Sequence, residues 1–159
     1  MFERRLFVPE GRKALAKPAS MESLDLRIAP PRSPNLELGG LLMLARTIDK
    51  ARASLPGGDL GAYRFAGFSA GLLKGLGIEE ADFVDAVKTA RGDDDVVAWV
   101  RARSDAAAYP ELNAKLQRRT VGDVIDDADF VERYPVVAGL PHDTPLLHML
   151  DHDDKAAFA

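Results

Sequence analysis

The chain contains no cysteine, which excludes disulfides, thiolate metal sites and a cysteine nucleophile and fits a reducing cytoplasm. No apolar run approaches the ~20 residues that a membrane-spanning helix needs. The opening stretch MFERRLFVPEGRK has no continuous apolar h-region, so a secretory signal is not expected. Excess positive charge is also lacking. The formal charge is −4 and the sequence pI about 5.4, which does not favour broad nucleic-acid binding, because Lys and Arg must neutralise phosphates. Histidines number only three.

What is present suits a globular fold. Of 159 residues, 47% are apolar and 29% charged, enough for one domain with a real core. Residues 1–20 mix charges with Pro9, Gly11 and Pro18 and are expected to form an N-terminal extension, with a single helical domain over 21–159. Charge is uneven along the chain. Met1–Arg32 carries seven Lys/Arg against four Asp/Glu, Ser33–Thr120 twelve against twelve, and Val121–Ala159 two against nine. A basic front and an acidic back could attract each other within the chain or between subunits, but two solvated surfaces are the simpler expectation.

Pro30, Pro31 and Pro34 in APPRSPNLELGG fix φ and block helix, so an extended segment is expected there. After Gly39 and Gly40, LLMLARTIDKARASL places Leu41, Leu44, Ile48, Ala51 and Leu55 on one stripe of helical period. Pro56 and two glycines stop that helix. FSAGLLKGLG reads as a short helix from Ser69, and EEADFVDAVKTAR as another. Asp93 or Asp94 is expected to cap DVVAWVRARS, and Pro110 to open ELNAKLQRR. VGDVIDDADFVERY places Val121, Val124, Ile125, Ala128 and Val131 on one face. YPVVAGLPHDTP reads as a loop and PLLHMLDHDD as a short final helix. The fold expected is mainly α: five to seven helices, with at most one short extended element, such as Tyr63–Phe65.

The stretch DLRIAPPRSPNLELGGLLMLARTIDKARASL, continuing through GAYRF to LGI, resembles the bacterial domain-of-unknown-function 5069 family. The resemblance covers roughly Asp25 to Thr120, with LLHMLDHDD a weaker echo of that family's closing segment. It implies a small, cytoplasmic, mainly helical protein. It carries no assigned activity and so supplies no catalytic residues. After Tyr63 the chain departs from the pattern: AGFSAGLLKG stands where such proteins usually carry a polar stretch with a cysteine and a proline.

LKGLGIEEA, Leu73 to Ala81, resembles a helix-hairpin-helix phosphate clamp. Such a clamp needs free amides, small residues and positive neighbours. Gly75, Gly77 and Lys74 supply these, but Glu79, Glu80, Asp82 and Asp85 would repel the phosphate. A helix-ending glycine followed by an acidic helix start accounts for the same residues, so nucleic-acid binding is disfavoured. His148 and His152 have the i, i+4 spacing of metal ligands, with Asp151 and His142 nearby, yet no third ligand is placed by the sequence. Asp126, Asp127, Asp129 and Glu132 read as a solvated face. Ser33 and Ser69 have no identifiable catalytic partner. No metal and no cofactor are expected.

The Leu41–Leu55 helix is the most informative element. Opposite its core stripe lie Arg46, Asp49 and Lys50, and Asp49 is three residues from both Arg46 and Arg52, a spacing that allows ion pairs. Leu42 and Met43 fall toward this charged side, so a second surface should cover it: the PPRSP segment, a partner subunit or a ligand. Arg27 and Arg32 precede the helix on stiffened backbone, suited to bidentate recognition of carboxylate or phosphate. The competing account is a structural ion-pair network. The favoured function is a non-catalytic binding or interaction module with an anion- or partner-binding patch at Arg27, Arg32, Arg46, Asp49, Lys50 and Arg52. Its partner would be a second copy of the chain, another protein or a small anion, and not a membrane. A small-molecule enzyme is the alternative reading, and a weak phosphate or nucleic-acid binder through the helix-hairpin-helix-like turn at 73–81 is the second.

Overall fold

The computed structural model describes residues 20–159, so the expected N-terminal extension lies almost wholly outside the described residues. Seven α-helices follow in order: α1 Leu44–Ala53, α2 Phe68–Leu76, α3 Glu80–Thr89, α4 Asp93–Arg103, α5 Tyr109–Arg118, α6 Ala128–Arg133 and α7 Leu146–Ala157. Short 3-10 turns occupy Ala106–Ala108, Val121–Asp123 and Pro135–Gly139. Among the described residues extended pairing is limited to isolated bridges, Asp25 with Asp59, Leu38 with Leu41 and Thr120 with Pro145. No helix among these residues is long and apolar enough to cross a membrane.

The protein is built around α1. Every residue of this helix is buried except Arg52, which is half-buried. Leu44, Ile48 and Ala51 enter the core with Leu72, Phe83, Val87 and Val96, and α2, α3 and α4 pack directly on the helix. Ala45, Ala51 and Ala53 keep its surface narrow enough for neighbours to surround it. A helix enclosed on all sides must bury its polar residues too, and α1 buries Arg46, Thr47, Asp49 and Lys50. That is costly unless each polar group finds a partner.

The helix starts three residues later than its apolar stripe predicts. Gly39, Gly40 and Met43 all have positive φ, and Leu38 and Leu41 exchange backbone hydrogen bonds of 2.9 and 3.0 Å. Leu41–Met43 is therefore a buried turn. Its amides are satisfied from outside: Met43 N–H donates to Pro34 O at 3.0 Å, and Leu42 N–H to Asn113 Oδ1 at 3.0 Å. Those contacts offset the ~1–2 kcal/mol that a left-handed methionine costs. The PPRSP segment and α5 thus cover the second face of this region.

The stretch Val121–Tyr134 is not one helix. Thr120 and Asp123 form a capping box around the first turn, and the Asp127 carboxylate accepts from Phe130 N–H to start α6. Short polar side chains offer the backbone local partners and interrupt the ladder. Val121 and Val124 still reach the core. Asp93 is not a cap either: Gly92 holds that position, and Asp93 lies in the first turn of α4. Tyr63–Phe65 forms no strand.

Gly77→Ala is expected to cost about 1–2 kcal/mol for its left-handed φ alone, since nothing lies within 4 Å of the added Cβ. Gly39→Ala should cost more by roughly 1–3 kcal/mol from overpacking, because its Cβ would lie 2.8 Å from Val97 Cγ1. Urea unfolding of the two variants checks this order.

Candidate functional site

Charged residues leave α1 on two flanks, and the six residues singled out from the sequence divide between them. On the first flank Arg32 is saturated. Its backbone N–H donates to Asp49 Oδ2 at 2.8 Å. Its guanidinium reaches Asp49 Oδ1 at 3.0 Å and Asp93 Oδ2 at 2.7 Å. The Asp93 hydrogen bond is the largest influence raising the Arg32 pKa, and Asp49 adds to it. Arg52 gives its Nε–H to Glu22 O at 2.7 Å and lies 3.8 Å from Asp49. The expected Arg46–Asp49 pair does not form, because Arg32 takes the Asp49 carboxylate instead. With two carboxylates around one guanidinium, this flank fastens the Pro-rich segment to α1 and α4.

The second flank carries Arg46 and Lys50, one helical turn apart. Arg46 Nη1 and Nη2 donate to the two Asp154 oxygens at 2.8 and 3.1 Å. Nη1 also reaches Arg32 O at 3.2 Å. The Tyr63 hydroxyl donates to Asp154 Oδ1 at 2.7 Å, and the Arg46 guanidinium carbon lies 5.5 Å from the Tyr63 ring centroid. Burial is the main cause holding the Tyr63 phenol above its ordinary pKa, followed by its bond to Asp154. Arg46 and Asp154 are 1% and 6% exposed, so this is a dehydrated pair. One donor remains over: Arg46 Nε is buried and has no hydrogen-bond partner among the described residues.

Beside this pair is a cavity of about 510 Å³. Arg46, Lys50 and Tyr63 form part of its wall, Arg64 and Arg133 are exposed at its margin, and among the described residues Asp153 contributes the only carboxylate. Arg27 also reaches the margin, but it is bound to Asp25 and lies near Asp59. Lys50, Arg64 and Arg133 have no ion-pair partner among the described residues. Lys50 is 7% exposed. Burial brings its pKa down to about 8, with Arg46 and Arg133 pushing the same way and Asp154 opposing them. Burial, helped by the charge of Asp154, raises the Asp153 carboxyl above its ordinary value.

Other residues weighed from the sequence lie elsewhere. His142, His148 and His152 are exposed, and no group of three candidate metal ligands forms among the described residues. Gly77 ends α2 in the left-handed conformation and Ile78 is buried behind it. Glu79 and Glu80 flank the same turn. Ser33 donates to Asp151, and Ser69 accepts from Thr47 in the core.

Sequence reasoning placed Arg46 and Lys50 on one face of α1 but missed Tyr63, Arg64, Arg133, Asp153 and Asp154. Asp153 and Asp154 looked like part of an acidic end. The available signal was two cations at i, i+4 on a helix whose neighbours are apolar.

Removing Asp154 leaves Arg46 buried and unpaired, so Asp154→Ala should cost about 3–5 kcal/mol. Asp49→Ala should cost less, about 1.5–3 kcal/mol, because Arg32 keeps Asp93 and is one-third exposed. Lys50 gives a pH-dependent test. Its pKa falls from 10.5 to about 8 on folding, so between those values the unfolded chain binds a proton that the native chain does not. The native state is penalised below pH 8, and the penalty disappears as pH rises to 10.5. Lys50→Met should therefore be more stable than the parent at pH 7, by up to roughly 3 kcal/mol. The difference should shrink toward pH 10.5 in paired denaturation curves.

The family described as "Domain of unknown function (DUF5069)" matches residues 28–155, a range that includes both α1 and the Asp154 end of the site. A comparison with curated proteins finds no match. With most of its length matched, the chain belongs to the domain-of-unknown-function family DUF5069.

Proposed function

We propose that the protein is a binding module for a small anion, held in the cavity beside Lys50. The observation that carries this reading is the Lys50 side chain, only 7% exposed on α1, with no carboxylate partner among the described residues. Burying an ammonium without a counter-ion is unfavourable. The surroundings add to the excess, since Arg64 and Arg133 also lack ion pairs there. A carboxylate, sulfate or phosphate would balance them and could accept from Arg46 Nε, the one unsatisfied buried side-chain donor among the described residues. Tyr63 and Tyr134 line the same space and give the ligand an apolar body to rest against.

Ligand rather than subunit contact is also favoured by the PPRSP segment. Pro31 and Pro34 are buried within the chain, and Arg32 is consumed by Asp49 and Asp93. The stiff segment that looked suited to recognition is occupied internally.

Sulfate is the useful probe because its charge does not change between pH 7 and 10. At 100 times its Kd it adds about 2.7 kcal/mol of stability, which moves the midpoint of a domain this size by several degrees. The shift should be lost in Lys50→Met. It should be weaker in Arg133→Ala, by about 1 kcal/mol or roughly fivefold in affinity. Affinity should fall by about tenfold per pH unit above pH 8 as free Lys50 loses its proton. Burial first, then Arg46 on α1, Asp154 on α7 and Arg133 on α6 set that titration; Asp153 on α7 lines the same cavity. No shift at any sulfate concentration, or an equal shift in Lys50→Met, contradicts the reading.

A further inference from the structure

We propose that Lys50 is a reactive amine, and that the molecule taken up beside it is a small aldehyde or ketone carrying a carboxylate or phosphate, captured as an imine. The proposal rests on the anion site above and deepens it by naming the chemistry of the ligand. Its basis is placement. The Lys50 side chain comes from a rigid buried helix and reaches a cavity of about 510 Å³, large enough for a compound of a few carbons. The other four lysines of the described region, Lys74, Lys88, Lys115 and Lys155, are exposed. Arg64 and Arg133 at the margin can hold the anionic end while the carbonyl reaches the amine. Asp153, the one carboxyl that lines the cavity among the described residues, is the group available to exchange protons with the addition product.

The lowered affinity of Lys50 for its proton supports this reading, because only a neutral amine attacks a carbonyl. With a pKa of about 8 in the free protein, roughly one-tenth of Lys50 is neutral at pH 7 before the anion binds, against a few parts in ten thousand for an ordinary lysine. Burial also raises the Asp153 carboxyl above its ordinary value, which brings it nearer to exchanging protons with the addition product.

The step balances without another reagent. The Lys50 nitrogen lone pair forms a C–N bond to the carbonyl carbon, and the carbonyl electron pair moves to oxygen, which takes a proton. The nitrogen gives up a proton, leaving a carbinolamine. A second proton on the hydroxyl lets it depart as water while the nitrogen electrons form the C=N bond, and the resulting iminium nitrogen gives up its remaining proton. One amine and one carbonyl compound become one imine and one water.

The test uses the full chain at pH 7 with glyoxylate, pyruvate or glycolaldehyde phosphate, each with cyanoborohydride to reduce any imine. Propanal serves as an uncharged control, and sulfate as competitor. Peptide mass analysis locates the modified lysines. The expected result is that at least one anionic probe labels Lys50 at least ~tenfold faster than the average of Lys74, Lys88, Lys115 and Lys155, propanal does so less, and sulfate suppresses the labelling. Labelling spread evenly over all lysines, or sparing Lys50, overturns the proposal. If sulfate still raises the melting midpoint in that case, the anion site stands and only the imine falls; if it does not, both fall. Equal labelling of Lys50 by propanal, unaffected by sulfate, overturns the requirement for an anionic carbonyl compound.

Discussion

Arg46 lies at the centre of the core, and its guanidinium can leave water only if an anion leaves with it. The anion is Asp154, 108 residues further along the chain. Pairing them brings the last helix against the first, and Tyr63 donates its hydroxyl to the same carboxylate. A pair of this kind contributes little net stability compared with an apolar replacement, but breaking it is expensive. It therefore serves to fix position: α1, α7 and the Tyr63 loop meet in one arrangement. The adjacent cavity, with Lys50 unpaired among the described residues, follows from that arrangement.

The two flanks of α1 do different work with similar residues. Arg32 has two carboxylates and nothing left to offer a ligand. Arg46 has one, plus an unsatisfied Nε. Lys50 has none among the described residues. From one flank of this short helix to the other the ratio of anions to cations falls from excess to deficit. Structural ion pairing and proposed anion recognition thus come from one element, distinguished by how many carboxylates the rest of the chain supplies.

Local signals in the sequence were reliable where local physics decides. Ile48 and Ala51 follow the helical period into the core, Gly77 ends a helix, and Pro110 stands at the start of α5. The period failed at Leu41–Met43, where bonds to Pro34 and Asn113 hold a turn. It failed again over Val121–Tyr134, where Thr120, Asp123 and Asp127 cap short turns. In the candidate site, the charged residues of α1 were legible but their partners were not. Asp49 can meet Arg46 or Arg52 by spacing, and it does pair with Arg52 at 3.8 Å, but its hydrogen bonds go to Arg32, whose second partner Asp93 is 61 residues away. Pairing over such separations depends on packing, and no period in the sequence encodes it.

The central claim is that the largely buried Lys50 ammonium on α1, unpaired among the described residues, is balanced by an anion from solution. Lysine-labelled NMR can follow the Lys50 amine directly through a pH titration, with and without sulfate. The account predicts a midpoint near 8 in the free protein, moving upward when sulfate binds, because an opposite charge favours the protonated form. A midpoint near the ordinary lysine value of about 10.4, unmoved by sulfate, would mean that the amine is already hydrated or paired, and would contradict it.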